Sequence, residues 1–339
     1  MPGSIVKTLP TPPAPASRWL LAARILGFGV VLLSLRWIVL RLGADGAELA
    51  SFRPSPGFLA LAALAVPLWS SVGLVPASAW ARLLEVLAGD YADRRRDVRI
   101  FARLQISKYL PGHAFQVARH AVTRSAGRGE GVWERRDSVP HTALGAAATC
   151  EALGMITAAA ALAFVAFGLA VSVGAVGLGF ELPRPVLVGV PVIAVGMALT
   201  IPWLLSRLAG SRWLPGVVPH ESRALLPSFG LYAIEKALAG LILGSLLATT
   251  SDQALVACLL AATAAYPLAW LTGFLTPATP AGAGAVEAVL VAILGSRYGA
   301  VEVLAAAVGL RLVMVAGDAL LALAAYMTRD AAPLGEPAR

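Results

Sequence analysis

Charge is what this sequence has least of. Of 339 residues only 14% are Asp, Glu, Lys or Arg, while 58% are apolar before 33 glycines are added. A soluble domain carries roughly 25% charged residues, so too few are present to cover one or two water-soluble domains. The same apolar excess excludes intrinsic disorder. Cysteine is nearly missing as well. Cys150 and Cys258 are the only two, both inside apolar runs, which rules out a disulfide scaffold and a thiolate metal site. The sequence has no Gly-rich Walker loop, no His/Cys/Asp cluster at metal spacing and no nucleophile-plus-base pattern. No enzyme activity, metal or cofactor is therefore expected. The remaining class is an all-α integral membrane protein.

What is present fits that class. A bilayer core takes about 20 apolar residues in helix. Trp19–Leu42, Phe58–Ala81, His141 to about Leu178, Pro185–Leu208, Ala224–Thr249, Ala254–Phe274 and Val301–Met327 meet that length. A shorter run, Val286–Leu294, follows a Pro/Gly-interrupted stretch and makes about eight transmembrane segments in all. The runs are rich in Ala and Leu and do not alternate, which excludes a membrane barrel. Residues 1–17 read as a flexible Pro-rich tail, 18–328 as one transmembrane domain and 329–339 as a short C-terminal tail. Because the first run continues to Leu42 without a small-residue exit, it reads as a retained signal anchor rather than a cleaved signal peptide.

The formal net charge is +8. A nucleic-acid partner would need a basic patch on a soluble surface, and no soluble segment exceeds about sixty residues, so none is expected. Positive charge gathers instead in the connection 81–140, where twelve Lys/Arg face seven acids. The positive-inside rule makes that connection and Arg207–Arg223 cytoplasmic, with both termini inside and the charge contacting anionic lipid.

Two segments are broken. In 98–127, Pro111 removes a backbone donor and Gly112 permits positive φ, dividing two short helices. The segment reads either as a re-entrant hairpin or as an amphipathic hairpin on the membrane surface. In 275–294, Pro277, Pro280, Gly282 and Gly284 delay regular helix to about Ala285, which places Glu287 in its first turn. A helix start inside the membrane suits an anionic group; a loop followed by a capped helix is the alternative. Paired broken segments in the two halves of a polytopic chain are a pointer to a transporter's binding site.

Lys108-Tyr109-Leu110-Pro111-Gly112, followed by Gln116 and Arg119, resembles the K-Y-L-P-G…R signature of the lysylphosphatidylglycerol synthase transmembrane (flippase-like) family. Pro280–Glu287, PAGAGAVE, is similar to that family's P-G-G-x-G-x-R-E segment. The resemblance covers about residues 18–328. Ala281 replaces the first Gly of the family's usual pair, and Val286 stands where the family often has Arg. The resemblance implies a polytopic helical domain in the bacterial plasma membrane that moves an aminoacylated or otherwise modified anionic lipid between leaflets. Family members that transfer the aminoacyl group carry a soluble domain after the membrane part. This chain ends twelve residues past its last span, so a stand-alone flippase-like domain without that chemistry is expected.

Ionisable side chains within spans need a partner, a water path or a way to snorkel. Glu151 either lines a headgroup path or pairs with an arginine. Arg311 and Asp318, seven apart, share a helix face but sit about 10 Å apart in rise, so each is expected to pair with another helix. Glu235 and Lys236 point in different directions and are expected to pair with neighbouring spans rather than each other. Arg24 and Arg36 can snorkel, and His113 and His120 read as solvated or interfacial.

The expected substrate site is thus Lys108, Tyr109, Pro111, Gly112, Gln116, Arg119, Glu151, Pro280, Gly282, Gly284, Glu287, Arg311 and Asp318. In it Lys108, Arg119 and Arg311 compensate a phosphate, while Glu151 and Glu287 meet a cationic or hydroxylated headgroup moiety. The expected partners are anionic membrane phospholipids, with a second copy of the chain or a separate lipid-modifying enzyme beside them. Two other readings remain open: transport of a polyprenyl-phosphate-linked sugar or hopanoid-type lipid, and a membrane scaffold that docks a soluble enzyme.

Overall fold

The computed structural model describes residues 52–89, 92–109, 119, 122–123, 141–176, 196, 222–276 and 282–328. Among them the regular structure is entirely helical. The helices are α1 (Pro56–Val72), α2 (Leu74–Ala88), α3 (Arg94–Leu104), α4 (His141–Ser172), α5 (Leu226–Ala248), α6 (Leu255–Leu275), α7 (Ala285–Tyr298) and α8 (Ala300–Met327). Short 3₁₀ turns, Gln105–Tyr109 and Ser222–Leu225, follow α3 and precede α5.

Among the described residues, five stretches are long and apolar enough to cross a membrane: Pro56–Ala88, Ala143–Ser172, Leu226–Ala248, Leu255–Leu275 and Ala300–Met327. They coincide with five of the eight expected segments and mark a multi-pass membrane protein. The runs at Trp19–Leu42 and, but for residue 196, Pro185–Leu208, with Arg24, Arg36, His113 and His120, lie outside the described residues. The second run differs in form from its sequence reading. It starts where the Ser55 hydroxyl accepts from the Phe58 amide at 3.1 Å, and it divides at Gly73 into α1 and α2.

Small residues set how closely the helices pack. Within a membrane, apolar side chains gain little by leaving lipid, so close backbone approach through glycine and alanine carries much of the association. Gly240 and Gly244, four apart on α5, press on α6. A methyl group on either would sit 2.6 Å from the Cα of Thr263 or Leu259. On α6 itself Ala261, Ala262, Ala264, Ala265 and Ala269 are wholly buried, which lets α4, α5 and α7 gather around it. On α8, Gly309 receives the Phe58 ring and Gly317 the Trp69 ring, so α1 runs alongside α8 in the same direction.

One end of the bundle is fixed by hydrogen bonds between chain connections. The Tyr298 hydroxyl, at the end of α7, lies 2.8 Å from the Ala175 carbonyl and 3.1 Å from that of Ala257. Thr250 reaches the Glu302 carbonyl at 3.4 Å. The end of α5, the start of α6, the end of α7 and the start of α8 therefore meet. At the other end of α6, Gly273 and Gly282 are in backbone contact, so α7 folds back antiparallel along α6. With only 14 residues, α7 spans about 21 Å at 1.5 Å per residue. That falls short of a bilayer core of about 30 Å, so its N-terminus opens inside the bundle beside the longer α8.

α3 is built differently. Asp93 caps it through the Arg96 amide at 3.1 Å, and Asp97 accepts from the Asp93 amide at 3.0 Å. Its face Ile100, Phe101 and Ala102 is buried against α2 and α8, while Arg94 and Arg95 are exposed. Arg103 donates to the Ala325 carbonyl at 2.9 Å, satisfying the open end of α8 in the manner expected of a cation at a helix C-terminus.

Candidate functional site

Among the described residues, eight ionisable side chains inside the bundle form four opposite-charge pairs: Lys108–Asp318, Arg119–Glu151, Lys236–Glu235 and Arg311–Glu287. Four positive and four negative charges cancel. This satisfies the requirement that charge removed from water be matched and hydrogen-bonded.

Glu287 and Arg311 each lie eleven residues from the α7–α8 turn, and Lys236 lies twelve residues before the end of α5. At 1.5 Å per residue these groups are about 17–18 Å from that end of the bundle. That is mid-depth for a hydrocarbon core of about 30 Å.

The pair on α7 arises from the break in the chain. Gly282 and Gly284 have φ of +72° and +83°, conformations open to glycine. They turn the backbone sharply into α7, where the Gly284 amide donates to Glu287 Oε2 at 2.7 Å. The other oxygen, Oε1, accepts from Arg311 Nε on α8 at 2.6 Å. Val286 fills the space against Gly273 and Gly282. The charge partner of Glu287 comes from α8.

Asp318, wholly buried, is the most heavily bonded group in the set. Trp69 Nε1 on α1 donates to Oδ1 at 3.2 Å. The Tyr109 hydroxyl donates to Oδ2 at 2.5 Å, and Lys108 Nζ lies 2.7 Å from the same oxygen. Burial, then the nearby Asp318 carboxylate, push the Tyr109 phenol far above its ordinary range, which keeps it a donor. Lys108 also stands 5.9 Å from the Trp69 ring centroid and 5.4 Å from that of Tyr109, within cation–π range.

Arg119 is wholly buried and grips Glu151 through both terminal nitrogens, Nη1–Oε1 at 2.7 Å and Nη2–Oε2 closer still. Its guanidinium stacks 3.8 Å from the Trp80 ring centroid and 5.1 Å from that of Phe101. Of the two open readings of Glu151, pairing with an arginine is the arrangement found.

Tyr232 on α5 and Tyr266 on α6 are buried in the same bundle. Two expected positions, Lys108 and Glu287, converge on two others, Asp318 and Arg311, which share α8. Arg119 and Glu151 form a pair of their own. Pro111, Gly112, Gln116 and Pro280 lie outside the described residues. Among the described residues no group of three His, Cys, Asp or Glu side chains is gathered as metal ligands would be.

One expectation is overturned. Glu235 and Lys236 bond to each other. Adjacent positions leave a helix about 100° apart, but both side chains are long and both are buried. The nearest opposite charge outweighs the direction of the Cβ bonds. Lys236 Nζ lies 3.7 Å from the Trp270 ring centroid, which holds the ammonium on that side. Lys108, Arg119 and Arg311, expected to face a phosphate, each have an internal carboxylate partner.

Trp69, Trp80, Tyr232, Tyr266 and Trp270 are absent from the sequence-derived site. Each sits inside an apolar run, where an aromatic residue carries no mark of the charge it will meet. The one available signal was the need of each buried cation for a partner, and aromatic faces can supply part of it. No protein-family model matches the chain, and no curated protein is similar to it.

Proposed function

We propose that this chain is a lipid translocase of the flippase-like kind, carrying the headgroup of an anionic or aminoacylated phospholipid between leaflets while its acyl tails stay in the bilayer. The observation that carries this reading is the meeting, on α8, of the two broken segments. Lys108 and Tyr109 from the first reach Asp318, and Glu287 from the second reaches Arg311.

A headgroup carrying phosphate and a cationic or hydroxyl moiety needs both signs of charge at membrane depth, away from bulk water. Paired side chains supply them without leaving an isolated buried ion between transport events. Lys108 and Arg311 have side chains 24% and 26% exposed, so these two pairs are reachable from outside the bundle, whereas Arg119 is sealed. We assign the first two pairs to the headgroup and the Arg119–Glu151 pair to holding the scaffold. The motifs' resemblance to the flippase-like family supports the same direction.

The test is reconstitution into liposomes holding labelled phosphatidylglycerol or aminoacylated phosphatidylglycerol, with an impermeant quencher reporting access to inner-leaflet lipid. Wild-type protein accelerates access, and Glu287→Ala and Lys108→Ala slow it at least tenfold. Absence of transport of every anionic and aminoacylated lipid refutes the function. Undiminished transport in both variants refutes the site.

A further inference from the structure

Three donors converge on Asp318 from two separate parts of the chain: the Trp69 indole from α1, and the Lys108 ammonium and Tyr109 hydroxyl from the 3₁₀ turn. Two address one oxygen and the third addresses the other. A phosphodiester, like a carboxylate, offers two oxygens sharing one negative charge, and both are recognised by charge-assisted donors in this way.

Two of the donors have contacts besides Asp318. Trp69 packs on Gly317, and Lys108 is steadied by the Trp69 and Tyr109 rings. The site is also approachable, since Lys108 is partly exposed and Ile106 beside it is 40% exposed, an apolar surface next to an anion-binding cluster.

We propose that Asp318 is an internal stand-in for a lipid phosphodiester, occupying an anion site formed by Trp69, Lys108 and Tyr109, and that an anionic headgroup binds there by displacing it with uptake of one proton. The choice of ligand rests on the translocase reading. The proton follows from the charge count. Asp318 leaves its site as a carboxylate inside the bundle, and among the described residues each cation around it is engaged. Arg311, on its own helix, holds Glu287. Lys236 on α5 holds Glu235. Arg103 on α3 binds the end of α8, and Tyr266 on α6 brings a hydroxyl and no charge. Trp69 on α1 and Lys108 and Tyr109 on the 3₁₀ turn pass to the phosphodiester. A displaced carboxylate without a cation protonates rather than remain charged in a low-dielectric setting. The oxygen that accepted from Lys108 and Tyr109 becomes the hydroxyl, and the proton comes from solvent.

The experiment titrates the full chain in neutral maltoside micelles with dihexanoyl phosphatidylglycerol, following heat of binding at pH 5.5, 6.5 and 7.5. Dihexanoyl phosphatidylcholine and the water-soluble diester glycerophosphoglycerol are the comparison ligands. With one proton taken up per anion, wild-type affinity for phosphatidylglycerol rises by up to about tenfold for each unit fall in pH. Asp318→Asn removes the competing charge and keeps an acceptor for Trp69. It binds at least tenfold tighter than wild type at pH 7.5, without pH dependence, and Lys108→Gln added to it abolishes the gain. A flat wild-type profile overturns the proposal, and needs no variant to fold. So does a folded Asp318→Asn protein that binds no tighter.

Glycerophosphoglycerol binding as tightly as the lipid would keep the displacement and assign the site to a soluble phosphodiester. It would thereby remove the lipid reading of the preceding section. Conversely, transport in liposomes with a flat pH profile would leave the translocase standing and remove the stand-in.

Discussion

Replacing Glu151 by Gln leaves Arg119 charged, wholly buried and without the carboxylate that both its terminal nitrogens contact. Removing one partner of a buried ion pair costs about 3–5 kcal/mol, most of it the penalty of the charge left behind. The Trp80 and Phe101 rings do not offset this, because they face the guanidinium with or without Glu151. At 3 kcal/mol the unfolding equilibrium moves by more than about a hundredfold. Arg119→Met strands the carboxylate and costs a similar amount. The double variant Arg119→Met/Glu151→Met removes both charges, and replacement of a buried pair by apolar groups is often neutral or stabilising by about 1–4 kcal/mol. The assay is a double-mutant cycle of unfolding in mixed micelles with increasing SDS. The expected interaction energy is at least about 3 kcal/mol, with the double variant near wild type. Single variants costing under about 1 kcal/mol, or a double variant costing the sum of the two, would refute the assignment of this pair to the scaffold.

The other predictions concern packing, capping and pH. Gly244→Val places a branched side chain where even a methyl would lie 2.6 Å from Leu259 Cα, so α5 and α6 must part. Overpacking of about 1–3 kcal/mol should appear as a lower yield of folded protein by size-exclusion chromatography, whereas Gly230→Ala, at a position with open space, should not. Glu287→Gln keeps an acceptor for the Gly284 amide but unpairs Arg311. It should therefore preserve α7 amide protection while reducing lipid transport, and Glu287→Ala should lose both. Burial raises the Asp97 carboxyl above its ordinary 3.8, against the lowering effect of Arg96. Between 3.8 and that raised value the folded state binds more protons than the unfolded, so stability falls as pH rises through the window. Amide exchange in α3, corrected for intrinsic rates, should show this slope, and Asp97→Asn should flatten it.

Hydropathy located the described spans well because membrane insertion depends on local composition. Ala254–Phe274 against the observed Leu255–Leu275, and Val301–Met327 against Ala300–Met327, differ by a residue. The glycine-rich break before α7 and the place of Glu287 in its first turn were legible for a similar reason, since positive φ and a capping carboxylate are properties of a few adjacent residues. Arg311 and Asp318 could be separated on the helical rise alone. The Glu235–Lys236 bond was misread because Cβ direction was allowed to decide for side chains long enough to bend back. The division of the second run at Gly73 was missed because one glycine in an apolar stretch does not announce a break.

By itself, then, the sequence determined that this is a helical multi-pass membrane protein with a few stranded charges and a glycine-rich break before α7. Scarcity of charge and length of apolar runs are one-dimensional quantities, and the bilayer reads them as such. Which charges meet was decided only by the tertiary structure. Lys108 finds Asp318 across 210 residues of chain and Arg119 finds Glu151 across 32, because the fold brings those segments side by side. Once inside, an unpaired ion is too costly to keep, so each cation takes the nearest carboxylate that packing presents. No local pattern encodes that choice.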